Sequence, residues 1–492
     1  MRTMWIPSDT MKSMKRPNVV FVMLDTISAD RLRLYGGTAK MPNLERIGKH
    51  GTRYLNAIAP GTYTLPSHIS VFLGKRVRNI RALLKNPIKN QKKSTDPLFL
   101  KNKYITGNDH TLPMQMSHLG YKTSLFSNNP FVTQSTGLST GFSYVRNVFI
   151  ENKQKYHKTT LKIISNDFSR ENLTKIAYYV SSVLPSRSVD ELYFHLRRKL
   201  NRKVCNETGA YTLDQGAMLT NDIIDKYLAA TGPDNHFLFA NYMEAHEGYP
   251  TNLITKRDIS QDRWMYVSGM IDPEGIEVLK KAYEKRLEYL DSKIKNMVEI
   301  LKRNGVLDNA ILVLASDHGQ AFGEHGQVYH NLFPYNEISK VPLITAKYEN
   351  GKQIKERREI DKPVSIKSLH TSIMGVGYGK MSNIDDMLAN EDYVFSDHTG
   401  MLDVWDIPLL KMLKSRSKNA RLLYETKLKY NVFASAVYND KYKLIHYYNG
   451  SRRDEMYNLA EDPGETKNII RDNRSMALKI LDANRIHVSS SR

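Results

Sequence analysis

The segment NVVFVMLDT (residues 18–26) is a run of valines and other apolar residues that leads directly to a carboxylate, Asp25. A continuous apolar run of this length is typical of a strand that is buried on both faces, as in the parallel sheets of α/β proteins. Ligands of open α/β sheets bind at the carboxyl ends of the strands. The segment therefore predicts a central parallel strand that places Asp25 at a functional edge.

Three more short apolar runs follow, with helical patterns between them. They are YKTSLFSNN (121–129), HFLFANYMEAH (236–246) and AILVLASDHG (310–319). Before the last run, apolar residues recur at helical spacing from Ile276 to Leu301, and Gly305 is placed to end that helix. Alternating strands and helices predict an α/β fold with a mostly parallel sheet between helices.

The character of the sequence changes after about residue 425. Alternating, tyrosine-rich runs are joined by the turn pairs Asn439-Asp440 and Asn449-Gly450, which predicts antiparallel hairpins. We therefore expect a small antiparallel subdomain and tail at residues 425–492.

Upstream of this boundary we expect a catalytic α/β domain at residues 17–424, preceded by an N-terminal extension at residues 1–16. Two stretches rich in lysine and arginine, at about 75–104 and 150–205, are predicted to be insertions in the larger domain.

The formal net charge of the 492-residue chain is +21, which favours an anionic partner. Candidates are an anionic ester substrate, linked to a glycan or a lipid, and a membrane surface. Nucleic acid ranks last because the sequence has no RNP, OB-fold or helix-turn-helix signature. The first residues lack an apolar h-region, no run is long enough to span a bilayer, and Cys205 is the single cysteine. These features predict a cytoplasmic protein, with peripheral attachment to a membrane as the alternative.

The densest group of titratable residues lies in SDHGQAFGEHGQVYHN (316–331), directly after a predicted strand. Asp317 and His318 offer a carboxylate oxygen and an imidazole nitrogen to a cation. His325 and His330 follow in a glycine-rich loop, and His246 ends another predicted strand. Each residue alone fits a hydrogen-bonded core position, but their density favours a functional site.

A second notable segment is GTYTLPSHISVFLG (61–74), where Thr64, Ser67 and His68 come just before an apolar stretch. A hydroxyl at such a strand-to-helix corner either caps the helix or acts as a nucleophile at its positive end. These residues alone leave both roles open.

Seven segments, in this order, resemble the sulfatase family of the alkaline phosphatase superfamily. They are NVVFVMLDTISADRLRLYG, MPNLERIGKHGTRYLNAIAPGTYTLPSHISVFLG, LPMQMSHLGYKTSLFSNNPFVTQSTGLSTGF, NYMEAHEGY, SDHGQAFGEHG, KVPLI and YKLIHYYNGSRRDEMYNLAEDPGETKNI. The resemblance implies an α/β core with a C-terminal antiparallel subdomain. It also implies hydrolysis or transfer at a sulfate or phosphate ester, using a bound divalent metal ion.

The chain departs from the sulfatase pattern at several site positions. Thr64 stands where sulfatases have the cysteine, occasionally serine, that becomes formylglycine, and His68 replaces the arginine of that motif. Asn128 and Pro130 stand where a sulfate-binding lysine and histidine are found, and Thr26 replaces the second aspartate of the N-terminal pair. Threonine is the nucleophile in superfamily relatives that act on phosphorus: nucleotide pyrophosphatase/phosphodiesterases, phosphoethanolamine transferases and lipoteichoic acid synthases. The departures therefore favour a phosphoester substrate.

The resemblance assigns a role to each candidate residue. One cation, Ca²⁺, Mn²⁺, Mg²⁺ or Zn²⁺, is expected at a site formed by Asp25, Thr64, Asp317 and His318. There it activates Thr64 for in-line attack and formation of a covalent intermediate. The remaining assignments are His246 or His330 as general acid, His68 as an oxyanion contact, Ser67 as a helix cap, and Asn128 and His325 as substrate contacts.

Two alternatives stay open beside a hydrolase or phosphotransferase of phosphate esters. One is a sulfuric ester hydrolase of the arylsulfatase type that runs on threonine. The other is a catalytically silent family member that binds an anionic glycan or lipid. The natural substrate, the acceptor and the oligomeric state are not determined by the sequence.

Overall fold

The computed structural model describes residues 16–78, 104–107, 109–148, 213–247, 249, 273–330, 333–388, 391–400, 432–448 and 452–489. The predicted boundary at 425, the turn at 449–450, Cys205, most of the first predicted insertion and all of the second lie outside these residues.

Sixteen strands lie in the described ranges. In chain order they are β1 (Asn18–Leu24), β2 (Thr52–Ile58), β3 (Lys122–Ser127), β4 (Tyr144–Asn147), β5 (His236–Tyr242), β6 (Asn309–Ala315), β7 (Ala321–Phe322), β8 (Val328–Tyr329), β9 (Lys340–Glu349), β10 (Lys352–Gln353), β11 (Arg358–Ile360), β12 (Val364–Ser365), β13 (Val394–Thr399), β14 (Phe433–Tyr438), β15 (Tyr442–Tyr447) and β16 (Glu455–Asn458).

The α-helices of the same ranges lie between and after these strands. They are α1 (Pro42–His50), α2 (Thr64–Leu73), α3 (Leu112–His118), α4 (Ala217–Thr231), α5 (Pro273–Arg303), α6 (Asn336–Ser339), α7 (Leu369–Gly377), α8 (Asp385–Leu388) and α9 (Arg474–Ser489). None of the helices in the described part of the chain is long and apolar enough to cross a bilayer.

The large sheet has the order β11-β2-β9-β6-β1-β5-β3-β4. Two short strands add to it: β10 pairs with β9, and β12 pairs with β2. Strand β1 runs parallel to both of its neighbours, β5 and β6. Strand β9 is antiparallel to β6 and to β2, so β2 points the same way as β1. The predicted α/β fold with a mostly parallel sheet is confirmed.

Two apolar cores lie on opposite faces of this sheet, because successive side chains of a strand point to opposite sides. Val20 and Val22 of β1 pack in the core that contains Leu287 of α5. Val19 and Phe21 pack in the core that contains Phe72 of α2. Alternate side chains of one buried strand thus hold helices on both faces, which explains the continuous apolar run at 18–24.

The long amphipathic helix predicted at 276–301 is α5 (Pro273–Arg303). Gly305 follows it with a φ of 72°, the left-handed conformation that ends helices at glycine. Strand β6 begins four residues later and leads to the Asp317-His318 pair.

A second, four-stranded antiparallel sheet has the order β13-β14-β15-β16. The predicted turn at 439–440 joins β14 to β15, and the amide N–H of Asn439 donates to the Tyr442 carbonyl at 3.0 Å. The first strand, β13 at residues 394–399, precedes the predicted boundary at 425 in the chain. The small antiparallel subdomain is confirmed as a sheet, and it takes one strand from the sequence upstream of that boundary.

Candidate functional site

Three strands of the large sheet deliver polar residues to one edge. Asp25 follows β1, Asn129 follows β3, and Asp317 with His318 follows β6. These strands are parallel, so their carboxyl ends meet on one side of the sheet. Helix α2 begins there at Thr64.

Asp25, Asp317 and His318 form a fully buried group in which one ligand atom of each lies within 4.8 Å of the others. His318 Nε2 is 3.8 Å from Asp25 Oδ1 and 3.5 Å from Asp317 Oδ2. The Nδ1 of the same ring is 3.0 Å from the Gly319 carbonyl, to which it can only donate. This bond fixes the tautomer and leaves a lone pair on Nε2, the arrangement that metal-binding histidines require.

Hydrogen bonds hold both carboxylates in place, through both oxygens of Asp25 and through one oxygen of Asp317. Asp25 accepts from the Thr26 hydroxyl at 2.7 Å and from Asn129 Nδ2 at 2.6 Å. Asp317 Oδ1 accepts from the backbone N–H groups of Thr26 and His318 at 3.2 and 3.0 Å. Thr26 has a φ of 65°, which is uncommon for a β-branched residue and indicates backbone strain beside the site.

Two atoms of this group lack a hydrogen bond. Asp317 Oδ2 and His318 Nε2 are buried without a hydrogen-bond partner among the described residues. Leaving such atoms unpaired is unfavourable, and both are electron-pair donors. A divalent cation bound by Asp25, Asp317 and His318 would satisfy both, so the residues present fit the metal that the sequence predicts.

The electrostatics of the group support the same fit. Burial and the neighbouring Asp25 carboxylate raise the pKa of Asp317 well above its ordinary value. Burial would also raise the pKa of Asp25, but His246, His318 and the Thr26 hydrogen bond lower it overall. Burial lowers the pKa of His318, which keeps its imidazole neutral. Two adjacent buried carboxylates repel each other, and a cation between them would relieve that repulsion.

Thr64 is buried at the first turn of α2, and two side chains connect it to the carboxylates. Asn129 Nδ2, which donates to Asp25, also lies 3.4 Å from Thr64 Oγ1. His68, one turn along the helix, places its Nδ1 3.0 Å from the Thr64 carbonyl and 3.5 Å from Asp317 Oδ2. Thr64, Asp25 and Asp317 are thus parts of one site.

His68, predicted to be an oxyanion contact, lies in an apolar environment. The ring is fully buried and packs edge-on against Phe72 and Phe239, with centroid distances of 6.1 and 6.0 Å. This burial lowers the pKa of His68 to about 4, so the imidazole is neutral at pH 7. A neutral ring that bridges Thr64 and Asp317 positions these residues and cannot supply the charge of the arginine it replaces.

Two other predicted residues, Asn128 and His325, have partners outside this group. Asn128 Oδ1 accepts from the Thr220 hydroxyl of α4 at 2.9 Å, so its side chain is held away from Thr64. His325 is 2.9 Å from Glu337 Oε1 through Nδ1 and stacks on Tyr335 with centroids 3.8 Å apart. It therefore joins the loop after β7 to the residues around the small sheet.

Ser67 also departs from its predicted role as a helix cap. Its hydroxyl donates to the Gly61 carbonyl at 3.1 Å instead of accepting from an N–H group of α2. The helix N-cap is Tyr63, which has no capping side-chain bond.

Two residues of the site, Asn129 and Glu247, were not predicted from the sequence. Asn129 directly follows Asn128, and the sequence offers no signal to choose between the two. Glu247 follows His246, and together with His330 they form a second group that could hold a cation. The His330 ring lies against the His318 ring, with centroids 4.4 Å apart and planes tilted by 33°, so the second group adjoins the first.

Two family models match most of the chain. Residues 17–379 match the sulfatase family model, and residues 407–487 match a model described as the C-terminal region of N-sulphoglucosamine sulphohydrolase. The chain belongs to the sulfatase family. The predicted family is confirmed, and with it the prediction that the protein is an ester hydrolase of this superfamily.

Among the relatives of this sulfatase-family protein is the N-acetylglucosamine-6-O-sulfatase of Bacteroides thetaiotaomicron. It is 23% identical over 505 residues, which cover 92% of the present chain and 83% of the relative. The phosphonate monoester hydrolase of Agrobacterium radiobacter shares the fold, with a TM-score of 0.63 at 14% identity, over 97% of this chain and 96% of that one. A structure in complex with its substrate D-glucosamine-2-N,6-O-disulfate has a TM-score of 0.56 at 15% identity, over 97% and 99%.

Proposed function

We propose that this sulfatase-family protein is a metal-dependent hydrolase or transferase of phosphate esters in which Thr64 is the nucleophile. The observation that carries the proposal is the link from Thr64 Oγ1 through Asn129 Nδ2 to Asp25. It sets a hydroxyl at the start of a helix and next to a buried group suited to a cation. The sequence at 61–74 left Thr64 as either a cap or a nucleophile, and these contacts favour the nucleophile.

Asp25, Asp317 and His318 would hold the cation, with Thr64 beside them. A bound divalent cation supplies positive charge that lowers the pKa of an alcohol and neutralises ester oxygens. The imidazole ligand favours Zn²⁺ or Mn²⁺ over Ca²⁺, because Ca²⁺ selects sites built of oxygen atoms.

The residues of the chain then support a two-step reaction. Attack by Thr64 Oγ1 forms an O–P bond and breaks the bond from phosphorus to the leaving-group oxygen, while the threonine proton passes to water. Water or an acceptor hydroxyl later breaks the Thr64–phosphorus bond and restores the hydroxyl. N–H groups in the first turn of a helix have no partner within the helix, so those of α2 favour an anion at this position.

The leaving-group oxygen must receive a proton or be stabilised by positive charge. His246 and His330 adjoin the first group, and an imidazolium can supply either a proton or positive charge. His246 and His330 are the general-acid candidates predicted from the sequence.

The preference for phosphorus is supported by the groups that occupy the positions of the sulfate-binding residues. His68 is neutral, and Asn128 is uncharged and turned toward Thr220. A sulfate ester is the second candidate, and it is favoured by a different observation: a sulfatase aligns with 92% of the chain. Either substrate is anionic, in agreement with the net charge of +21.

The first prediction concerns Thr64. We expect Thr64→Ala to lower kcat by at least about 10³-fold on bis-nitrophenyl phosphate, because the nucleophile is removed. Thr64→Ser should retain measurable activity and accumulate a phosphoserine that rapid quenching and peptide mass spectrometry detect. Nitrophenyl phosphate, phenylphosphonate and nitrophenyl sulfate are assayed in parallel.

Ser67→Ala is the matched control, since it removes a hydroxyl from the same helix turn without touching Thr64. Undiminished turnover by Thr64→Ala contradicts the nucleophile assignment. Faster turnover of the sulfate than of any phosphorus ester reverses the choice of substrate. A protein without metal and without turnover of any ester supports the silent glycan- or lipid-binding alternative.

A further inference from the structure

We propose that His398 of the small sheet is a positioning residue for Thr64, and that it acts through Thr62. The contact lies in the nucleophile turn, residues 59–63, which leads from β2 to α2. Thr62 Oγ1 is 2.9 Å from His398 Nδ1, and both side chains are buried. The effect on catalysis rests on the proposed function, since it requires Thr64 to be the nucleophile.

The nucleophile turn has little support from its own neighbours in the chain. The N-cap of α2 is Tyr63, and tyrosine does not cap a helix with its side chain as serine, threonine, asparagine and aspartate do. Ser67 gives a local contact, because its hydroxyl donates to the Gly61 carbonyl at 3.1 Å. The position of Thr64 therefore depends on contacts with distant parts of the chain.

Strand β13 of the small sheet supplies such contacts. Its residues 397–399 meet residues 61–63 of the turn in three successive pairs: Gly61 with Asp397, Thr62 with His398, and Tyr63 with Thr399. The Tyr63 hydroxyl lies at the far end of its ring, so its bond to Thr399 orients the ring. Thr62 Oγ1 is attached to Cβ, so its bond to His398 restrains the backbone two residues before Thr64.

The His398 ring is itself held in place. Phe333 packs edge-on against it, with ring centroids 6.2 Å apart and planes at 76°. The Phe333 N–H donates to Gln327 Oε1 at 2.8 Å, which fixes Phe333 in turn. Side chains locked in this way hold the groups of an active site to within about 0.5 Å of the productive geometry.

A shift of the turn would move Thr64 away from the carboxylates of Asp25 and Asp317. Thr64 Oγ1 lies 3.4 Å from Asn129 Nδ2, at the limit of a hydrogen bond. A displacement of about 1 Å at a reacting group can lower its rate by about 100-fold. Binding of the ester by other residues stays the same, so we expect kcat to fall while KM is unchanged.

Two substitutions of His398 separate this contact from packing alone. The amide of asparagine starts at the same side-chain carbon as the imidazole ring, so His398→Asn keeps a polar atom at the position of Nδ1 and can still bond Thr62. His398→Gln places its amide one bond farther out and loses the contact. On bis-nitrophenyl phosphate, or on nitrophenyl sulfate if that ester is turned over faster, we expect kcat to fall by at least about tenfold in His398→Gln and to stay within about threefold of the wild type in His398→Asn.

Variants of Thr62 repeat the test from the other partner. Thr62→Val removes the hydroxyl with little change of shape, and Thr62→Ser keeps it, so they should behave as His398→Gln and His398→Asn, respectively. They replace the His398 variants if His398→Gln does not fold, as judged by circular dichroism. Ser396→Ala is the matched control, because Ser396 is fully buried two positions earlier on β13 and its hydroxyl has no hydrogen bond among the described residues. It should leave kcat unchanged.

Hydrogen exchange measured by mass spectrometry follows the turn itself without turnover. The backbone N–H groups of peptides that span residues 59–68 should exchange at least about tenfold faster in His398→Gln than in the wild type and in His398→Asn. Equal exchange and equal kcat in His398→Gln and His398→Asn overturn the proposal. Faster exchange with unchanged kcat in His398→Gln overturns it as well, because the turn then moves without an effect on Thr64.

Thr64→Ala tests the proposed function separately. If that variant is as active as the wild type, the nucleophile assignment fails. If it is inactive while His398→Gln keeps full activity, only the positioning role of His398 fails.

Discussion

Two neighbouring asparagines after β3 face different parts of the molecule. Asn129 Nδ2 donates to Asp25 at 2.6 Å and lies 3.4 Å from Thr64 Oγ1. Asn128 Oδ1 accepts from the Thr220 hydroxyl of α4. Both side chains are buried and both are hydrogen-bonded. Substituting each in turn therefore distinguishes the effect of a contact in the candidate site from the effect of a contact that only stabilises the fold.

We expect Asn129→Ala to lower kcat by about 10- to 100-fold, because Asp25 and Thr64 lose the group that positions them. Asn128→Ala should leave kcat unchanged. It should still lower the free energy of unfolding by about 1–3 kcal/mol, because the Thr220 hydroxyl loses its acceptor. Steady-state kinetics and urea unfolding of both variants check this. An equal loss of kcat in the two variants would contradict the assignment of Asn129.

Helix α2 carries Thr64 and His68. The carboxyl end of this helix packs against α7. Gly74 ends the helix with a φ of 64°, and a Cβ at this position would lie 2.7 Å from His370 Nδ1 of α7. The tight approach of two elements and the left-handed backbone therefore both require glycine.

We expect Gly74→Ala to lower the free energy of unfolding by about 2–4 kcal/mol, from the left-handed backbone and the crowded contact together. Gly379→Ala is the control: its φ is 68° and no atom lies within 4 Å of the added Cβ. Gly379→Ala should lower the free energy of unfolding by about 1–2 kcal/mol, from the left-handed backbone alone. Equal unfolding free energies for the two variants would show that the contact with His370 has no energetic effect.

His370 makes the packing of α7 sensitive to pH. Burial, with the charges of Lys367 and Lys75, lowers the pKa of His370 to about 4, and Gln115 Nε2 lies 3.1 Å from its Nε2. An unfolded histidine has a pKa of about 6.5. The folded state therefore excludes a proton that the unfolded state takes up, and stability is lost as the pH falls from 6.5 toward 4.

We expect His370→Gln to reduce the loss of unfolding free energy between pH 7 and pH 5 by about 1 kcal/mol. Urea unfolding at the two pH values measures the difference. His118→Gln, at an exposed position of α3, should leave the pH dependence unchanged. The same pH dependence in His370→Gln and the wild type would rule out this source of acid sensitivity.

Arg76, two residues after the glycine that ends α2, joins this segment of the chain to the small sheet. Its guanidinium donates to both Asp397 oxygens at 2.6 and 2.7 Å, to Ser435 at 3.0 Å and to Asn484 at 2.9 Å. Asp397 belongs to β13, and its N–H donates to the Pro60 carbonyl at 3.0 Å, just before the turn that leads to Thr64. Asp397 of the small sheet therefore holds both the turn that leads to Thr64, through its backbone N–H, and the segment after α2, through its ion pair with Arg76.

We expect Arg76→Lys to lower the free energy of unfolding by about 1–3 kcal/mol and also to lower kcat, because lysine lacks the planar fork that binds both oxygens. Arg78→Lys is the control, since the half-buried Arg78 contacts an exposed tyrosine, Tyr448, just after β15 and forms no buried ion pair with Asp397. It should change the unfolding free energy by less than about 0.5 kcal/mol. Reduced stability with full activity in Arg76→Lys would show that the small sheet does not support the site.

The elements of the large domain could be predicted from the sequence because their signals are local. A strand buried on both faces needs an unbroken apolar run, as at 18–24, and a long surface helix needs apolar residues at helical spacing, as in α5. Asp25, Asp317 and His318 were also predictable, because residues that follow parallel strands meet at one edge. The order of the seven segments added the family.

Side-chain partners were decided by the tertiary structure alone. Asn128 and Asn129 are equivalent in the sequence, and only the packing of α4 against β3 turns the first toward Thr220 and the second toward Thr64. His246 and Glu247 meet His330 only because β5 and β6 both flank β1 in the sheet. The sequence by itself determined which elements form and which of their ends carry the candidate site residues. The pairing of those ends depends on contacts between residues far apart in the chain, and no local pattern records such contacts.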